Sequence, residues 1–165
     1  MMLARNVLGA LLLLGLSMQA YASEKTRELS IDGTYMKITD QPSLSMLNVS
    51  LGQFLAPQAV IVTNLNTLDN DGYTATSIGL GGKYYFMDGM RGDLVPFAGA
   101  GIALRQISVA GSNTSSTQYD INGGLSYFMT DDTTLDVRAK LMSFEQPDGS
   151  RATMTVFSVG FTQHF

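Results

Sequence analysis

From about Glu28 to the last residue, bulky apolar side chains alternate with small or polar ones. The closing stretch, Ala152 to Phe165, reads ATMTVFSVGFTQHF. One alternate set is Phe165, Gln163, Phe161, Val159 and Phe157, and the other is His164, Thr162, Gly160, Ser158 and Val156. A β-strand sends successive side chains to opposite faces, so this stretch predicts a two-faced strand ending on an aromatic.

Seven earlier segments read the same way, each bounded by turn chemistry. They are Glu28–Thr39, Ser43–Leu55, Ala59–Asn66, Tyr73–Phe86, Leu94–Val109, Thr117–Met129 and Thr133–Phe144. The third segment is ambiguous, because Val60 and Val62 oppose Ile61 and Leu65. The fifth can be read in either register. Placing Pro96, Ala98, Ala100, Ile102 and Leu104 on the apolar face keeps Arg105 off it. Ala110 to Ser116 reads as a loop of small residues. No mature segment carries a persuasive helical period. Eight alternating strands with short connections predict an all-β fold, an eight-stranded antiparallel up-and-down barrel.

Composition then narrows the compartment. Ahead of the strands, Arg5 precedes an apolar run from Val7 to Leu16, and Ala20-Tyr21-Ala22 has a small-x-small pattern. That predicts a signal peptide over residues 1–22, with the barrel domain over 23–165. The apolar run is too short to cross a bilayer as a helix. Charged residues are 15% of the chain, against about 25% in an ordinary soluble domain. Cysteine is absent, which excludes disulfides, thiolate metal sites and a Cys nucleophile. The net charge of −4 argues against a nucleic-acid partner.

The charges also decide which way the barrel faces. Asp32, Lys83, Arg105, Asp120, Asp136, Arg138 and Lys140 share one face with Gly, Ser and Asn. Gly52, Gly79, Gly81, Gly99, Gly101, Gly124 and Gly160 lie there too. Glycines make room inside a narrow eight-stranded barrel, and have no such reason on a wetted surface. Aromatics gather on the other face near the strand ends: Tyr84, Phe86, Tyr127, Phe161 and Phe165 at one rim, Tyr35 and Tyr119 towards the other. This is the pattern of a transmembrane barrel with lipid outside and a polar lumen. A soluble lipid-binding barrel would reverse the two faces.

Several stretches resemble the small outer-membrane β-barrel family of Gram-negative bacteria, which includes OmpA-type, OmpX-type and OmpW-like proteins. They are LGQFL (51–55), GLGGKYYF (79–86), VPFAGAG (95–101), GGLSYF (123–128) and the terminal Phe165. The resemblance implies location in the outer membrane, both termini in the periplasm, and contact with membrane lipid and lipopolysaccharide. It also implies a C-terminal strand read by the barrel-insertion machinery, carried by Phe157, Val159, Phe161 and Phe165; Gln163 departs from the usual apolar residue. Asp40–Ser43, Thr67–Gly72, Ala110–Ser116 and Glu145–Arg151 would then be outer loops, and Leu55–Gln58, Met87–Asp93 and Met129–Asp132 periplasmic turns.

Little in the chain suggests catalysis. His164 is the only histidine and falls at the periplasmic rim, with no Ser/Asp pair at suitable spacing. No catalytic residue, metal site or cofactor is expected. Gly79-Leu80-Gly81-Gly82 lies mid-strand with no helix after it, so it is packing rather than a phosphate loop. The inward charges are the constellation that remains. Buried charges must pair, so Asp32, Lys83, Arg105, Asp120, Asp136, Arg138 and Lys140 predict a salt-bridge network plugging the lumen. The expected function is a non-enzymatic, monomeric envelope or surface-interaction barrel. A narrow transport barrel for small or hydrophobic solutes is the alternative, although Val60, Val62 and Phe54 are the only evident inward apolar patch.

Overall fold

The computed structural model describes residues 26–36, 43–70, 73–87, 93–109, 112–146 and 149–165. The expected signal peptide lies outside them. So do residues 37–39, which the alternation assigns to the first strand, and the turn signals at 40–42, 71–72 and 147–148.

Eight strands close into one barrel in sequence order. They are β1 (Arg27–Met36), β2 (Leu44–Ala56), β3 (Ala59–Asn70), β4 (Tyr73–Tyr85), β5 (Leu94–Val109), β6 (Ser112–Phe128), β7 (Thr133–Glu145) and β8 (Arg151–His164). Every neighbouring pair is antiparallel, and β8 returns to pair with β1. Closure removes the free edges that could not sit in hydrocarbon.

The faces fall as the alternation predicts. In β8, Phe157, Val159, Phe161, Gln163 and Phe165 point outward, while Val156, Ser158, Gly160, Thr162 and His164 are buried. The ambiguous β3 sends Val60, Asn66 and Leu68 inward and Ile61 outward. β5 has Ala98, Ala100, Ile102 and Leu104 outside and Arg105 inside. Exposure decides against a soluble barrel: Leu104 is 70% and Phe157 66% exposed, while Asp32 is 4% and Lys140 5%. From Leu94 to Leu104 the outer face of β5 makes ten residue steps, which at ~3.3 Å each and a tilt of ~40° span roughly 25 Å, the height of a membrane band. Tyr84, Phe86, Tyr127, Phe161 and Phe165 ring the end bearing the short turns, and Tyr35 and Tyr119 lie towards the other.

Three expected outer loops are shorter than the sequence suggests. β3 continues to Asn70, so Thr67 to Asn70 pair with β4 instead of forming loop. β6 begins at Ser112, so Ser112 to Ser116 are paired strand. Glu145 pairs with Arg151, which confines the last connection to residues 146–150. The reason is common to all three. Above the apolar band the outward residues are also polar, among them Thr67, Thr74, Thr76, Gln106, Ser108, Ser115 and Thr153. Alternation falls silent there, but the backbone ladder needs no hydrophobic contrast and runs on.

Two glycines are required by close approach. Gly52 faces Glu28 across β1–β2, and a Cβ there would stand 2.5 Å from the Glu28 Cγ. Gly160 faces Asp32 across β1–β8, and a Cβ there would stand 2.3 Å from the Ile31 carbonyl oxygen and 2.4 Å from the Asp32 Cβ. Each removes a side chain where an acid of β1 must turn inward.

The outward face predicts a measurable cost. Ala100→Arg puts a charge near the middle of the apolar band, and should destabilise the folded barrel in lipid by roughly 2–4 kcal/mol. The same change at Ser108, beyond the band, should cost under about 1 kcal/mol. Reversible denaturant unfolding in bilayers reads both, and equal costs would contradict the placement of the band.

Candidate functional site: the barrel lumen

The lumen is built in three layers, set by which inward residues each strand contributes at each height. At the end bearing the turns and both described termini, Val60, Tyr85, Val95 and Phe97 are buried together, with Phe54, Val62 and Phe128 packed against them. At the opposite end, Met46, Leu68, Ala75, Ile107, Met142 and Val156 form a second apolar cluster, joined by Leu44 and Met154. These two layers correct the expectation that Val60, Val62 and Phe54 are the only inward apolar patch. Inward apolar residues such as Phe97, Val95, Ala103 and Ile107 sit in β5 opposite outward apolar ones, so both faces are apolar and parity alone shows no contrast.

Between the layers lie the polar groups. Arg138 donates from Nη1 to Asp32 Oδ2 at 3.0 Å, and its Nη2 stands 3.9 Å from Asp136 Oδ2. Asn48 Nδ2 donates to Asp32 Oδ2 at 2.8 Å. Thr134 Oγ1 donates to Asp136 Oδ1 at 2.9 Å, and Thr162 Oγ1 to Asp136 Oδ2 at 2.7 Å. Ser30 Oγ and Thr162 Oγ1 are 2.6 Å apart, which extends this chain of hydroxyls back to β1. Lower down, Lys83 forms an ion pair with Glu28. Tyr85 Oη donates to Glu28 Oε2 at 2.7 Å, and His164 Nδ1 lies 4.0 Å from the same oxygen.

All seven inward charges expected from the sequence are buried in the lumen. The described contacts arrange them in neighbouring groups. Asp32, Asp136 and Arg138 form one cluster. Lys83 belongs with Glu28. Lys140 stands within electrostatic reach of Asp120, Arg138 and Asp32. Asp120 takes its one described hydrogen bond from Asn122 Nδ2, at 3.5 Å. Arg105 sits higher, its guanidinium 3.7 Å over the Phe144 ring.

The residue that sequence reasoning missed is Glu28. It is 1% exposed, and it raises the inward acids to four, Glu28, Asp32, Asp120 and Asp136, against four cations. The signal was present: Glu28 has the parity of Ser30 and Asp32, but stands at the very start of the strand, where alternation has barely begun. Tyr85 was missed because parity lost contrast beside Tyr84 and Phe86.

Among the described residues, small cavities remain within the barrel. One of about 30 Å³ is bordered by Asn48, Lys83, Asp120 and Lys140, and one of about 10 Å³ by Arg105 and Gln118. Each has room for on the order of one or two waters. Among the described residues no group of three His, Cys, Asp or Glu could hold a metal ion. His164, as its position suggested, lines the lumen at the turn end, where Phe128 stacks on it at 5.6 Å.

On the outer face, Phe157, Val159, Phe161 and Phe165 of the closing strand are exposed. Gln163, the polar exception, accepts a hydrogen bond from Thr133 Oγ1 at 2.9 Å and donates to the His164 carbonyl at 3.3 Å. Its amide is therefore satisfied within the barrel wall.

Residues 8–165 match the family described as outer membrane protein beta-barrel domain. The chain belongs to this family. No curated protein sequence matches it. Among solved structures, Neisserial surface protein A is similar at 18% identity with a TM-score of 0.70, covering 84% of this chain and 97% of that one. The N-terminal β-barrel domain of Pseudomonas aeruginosa OprF is similar at 19% identity and a TM-score of 0.64, covering 86% and 98%. The outer membrane enzyme PagL is similar at 16% identity and 0.51, covering 82% and 98%. At these identities the likeness carries the fold alone, and barrels of this shape evidently include an enzyme.

The ion pairs predict a ranking of stability. Asp32→Asn leaves the buried Arg138 without its nearest carboxylate, and should cost about 3–5 kcal/mol. Asp120→Asn should cost less, because the Asp120 contact is longer. Adding Arg138→Met to the Asp32 variant should recover part of the loss. Denaturant midpoints of the variants in micelles check the order, and equal losses for the two acids would refute it.

Proposed function

We propose that this protein is an integral outer-membrane barrel without enzymatic activity, its lumen closed by its own side chains, serving envelope structure or contact at the cell surface. One observation carries the reading: balanced charges are buried between two apolar layers, with cavities of about 30 and 10 Å³ in the barrel. Eight strands leave an interior just wide enough to be filled by side chains. Water and ions would have to cross an apolar layer twice.

The same reading gives the barrel its surroundings. The exposed apolar band meets membrane lipid and lipopolysaccharide. The end with short turns and both termini faces the periplasm, and the hairpin tips β3–β4, β5–β6 and β7–β8 face outward. Phe157, Val159, Phe161 and Phe165 present the signal that the insertion machinery reads. The outer connections are too short to enclose a broad site, so surface contacts use the polar outer ends of the strands. The protein acts as a monomer.

Conductance and location test this. Purified protein in planar bilayers should give no steady single-channel steps; reproducible steps would favour the transport reading instead. Cell fractionation should recover the native chain in the outer membrane, and recovery in the soluble periplasm would overturn the membrane reading altogether.

A further inference from the structure

Among the described residues, the turn end of the barrel is not filled to its rim. Above the apolar layer there lies a vestibule of about 560 Å³. This is within the roughly 300–1,000 Å³ of sites that hold small molecules. Phe54, Tyr85, Phe128, His164, Met87 and Asp131 are among its walls. Four of these are rings arranged as two stacked pairs. Phe54 and Tyr85 are 6.2 Å apart and 11° from parallel, and Phe128 and His164 are 5.6 Å apart and 15° from parallel. His164 joins the pairs, 6.1 Å from Phe54 and 6.4 Å from Tyr85.

Among the described lining residues the electrostatics favour a cation, with the Lys83 ammonium lying inside the barrel, 4.7 Å from the Tyr85 ring centroid. Aromatic faces carry negative quadrupole density. Asp131 adds a carboxylate among the walls, and no lysine or arginine is among the described lining residues. Behind Tyr85 and His164 sits Glu28, whose charge is matched by the Lys83 ammonium, so the floor contributes no net positive field. A hard metal ion would need several oxygen ligands, and among the described residues no such group exists. An anion would meet ring faces and a carboxylate. An ammonium with apolar substituents meets neither difficulty, because it desolvates at low cost and gains from each ring face.

We propose that this vestibule binds a small organic cation, a substituted ammonium held against the half-buried rings of Phe54 and Phe128, with the buried Tyr85 ring stacked behind Phe54. The site depends on the fold and not on whether the barrel conducts, so it stands or falls separately from the plugged lumen.

Choline is a suitable probe, with its uncharged carbon isostere, in which a tert-butyl group replaces the trimethylammonium, as control. The barrel is held in a maltoside detergent that carries no ammonium group, and the ring protons of Phe128 and His164 are followed by NMR. Choline should shift them saturably and bind at least about fivefold tighter than the isostere. Phe128→Leu and the rim variant Asp131→Asn should each weaken choline several-fold. Equal binding of both compounds would reveal an apolar cavity without charge preference and overturn the proposal. So would a choline response unchanged in both variants, or no saturable response in the native barrel.

Discussion

The structure depends on the seam where the last strand meets the first. Among the described residues β1 and β8 share six paired positions, from Glu28–His164 to Gly33–Val159, with Arg27 and Phe165 exchanging backbone hydrogen bonds beyond them, whereas β5 and β6 share sixteen. A seam this short must hold in a medium where unpaired backbone groups find no water. Its inward side chains supply what the ladder lacks. Asp32 of β1 reaches Arg138 of β7 across the intervening strand, and Ser30 meets Thr162 of β8, which in turn holds Asp136. Glu28 extends the hold across the lumen to Lys83 and Tyr85 of β4. The inward face of one ten-residue strand thus touches β2, β4, β7 and β8.

These contacts set register as well as closure. A slip by one residue would turn Asp32 towards lipid and Ile31 into the lumen. Buried charges return little net stability, because desolvation opposes their attraction. Misplacing one is expensive in every alternative register, so the clusters discriminate among closures more than they add to the total. Gly52 and Gly160 belong to the same device, since a side chain at either position would occupy the space that Glu28 and Asp32 need. The apolar layers above and below complete it by excluding water, which strengthens each interaction they enclose.

Function divides along the same axis. The middle of the barrel is committed to structure, and what can vary without opening the seam lies at the two ends. One end presents polar strand tips, the other an aromatic vestibule. This fits a fold whose solved relatives share the barrel at identities of 16% and 18% while including both an enzyme and a surface protein.

The sequence by itself determined the number of strands, their order, and which face meets lipid in every strand but the ambiguous third and fifth. The physical reason is that a membrane barrel has two solvents, lipid outside and a crowded polar lumen inside, and a period of two records their contrast residue by residue. It also held the closing strand, with Phe157, Val159, Phe161 and Phe165 on one side and His164 on the other. Where that contrast vanishes, the sequence was mute. Beyond the apolar band the outward residues are polar, so Ser112–Ser116 and Thr67–Asn70 read as loops although they are paired strand. At the turn end both faces are apolar, so the layer around Phe97 did not stand out, and at the other end the contrast reverses, with Leu68, Ala75 and Ile107 inward between outward Thr67, Thr74, Thr76, Gln106 and Ser108. Parity put seven charges in the lumen, yet it could not say that Arg138 takes Asp32 across β8, or that Glu28 completes the balance. Those choices belong to the stagger and curvature of the closed sheet, which bring together side chains far apart in sequence, and only the tertiary structure decided them.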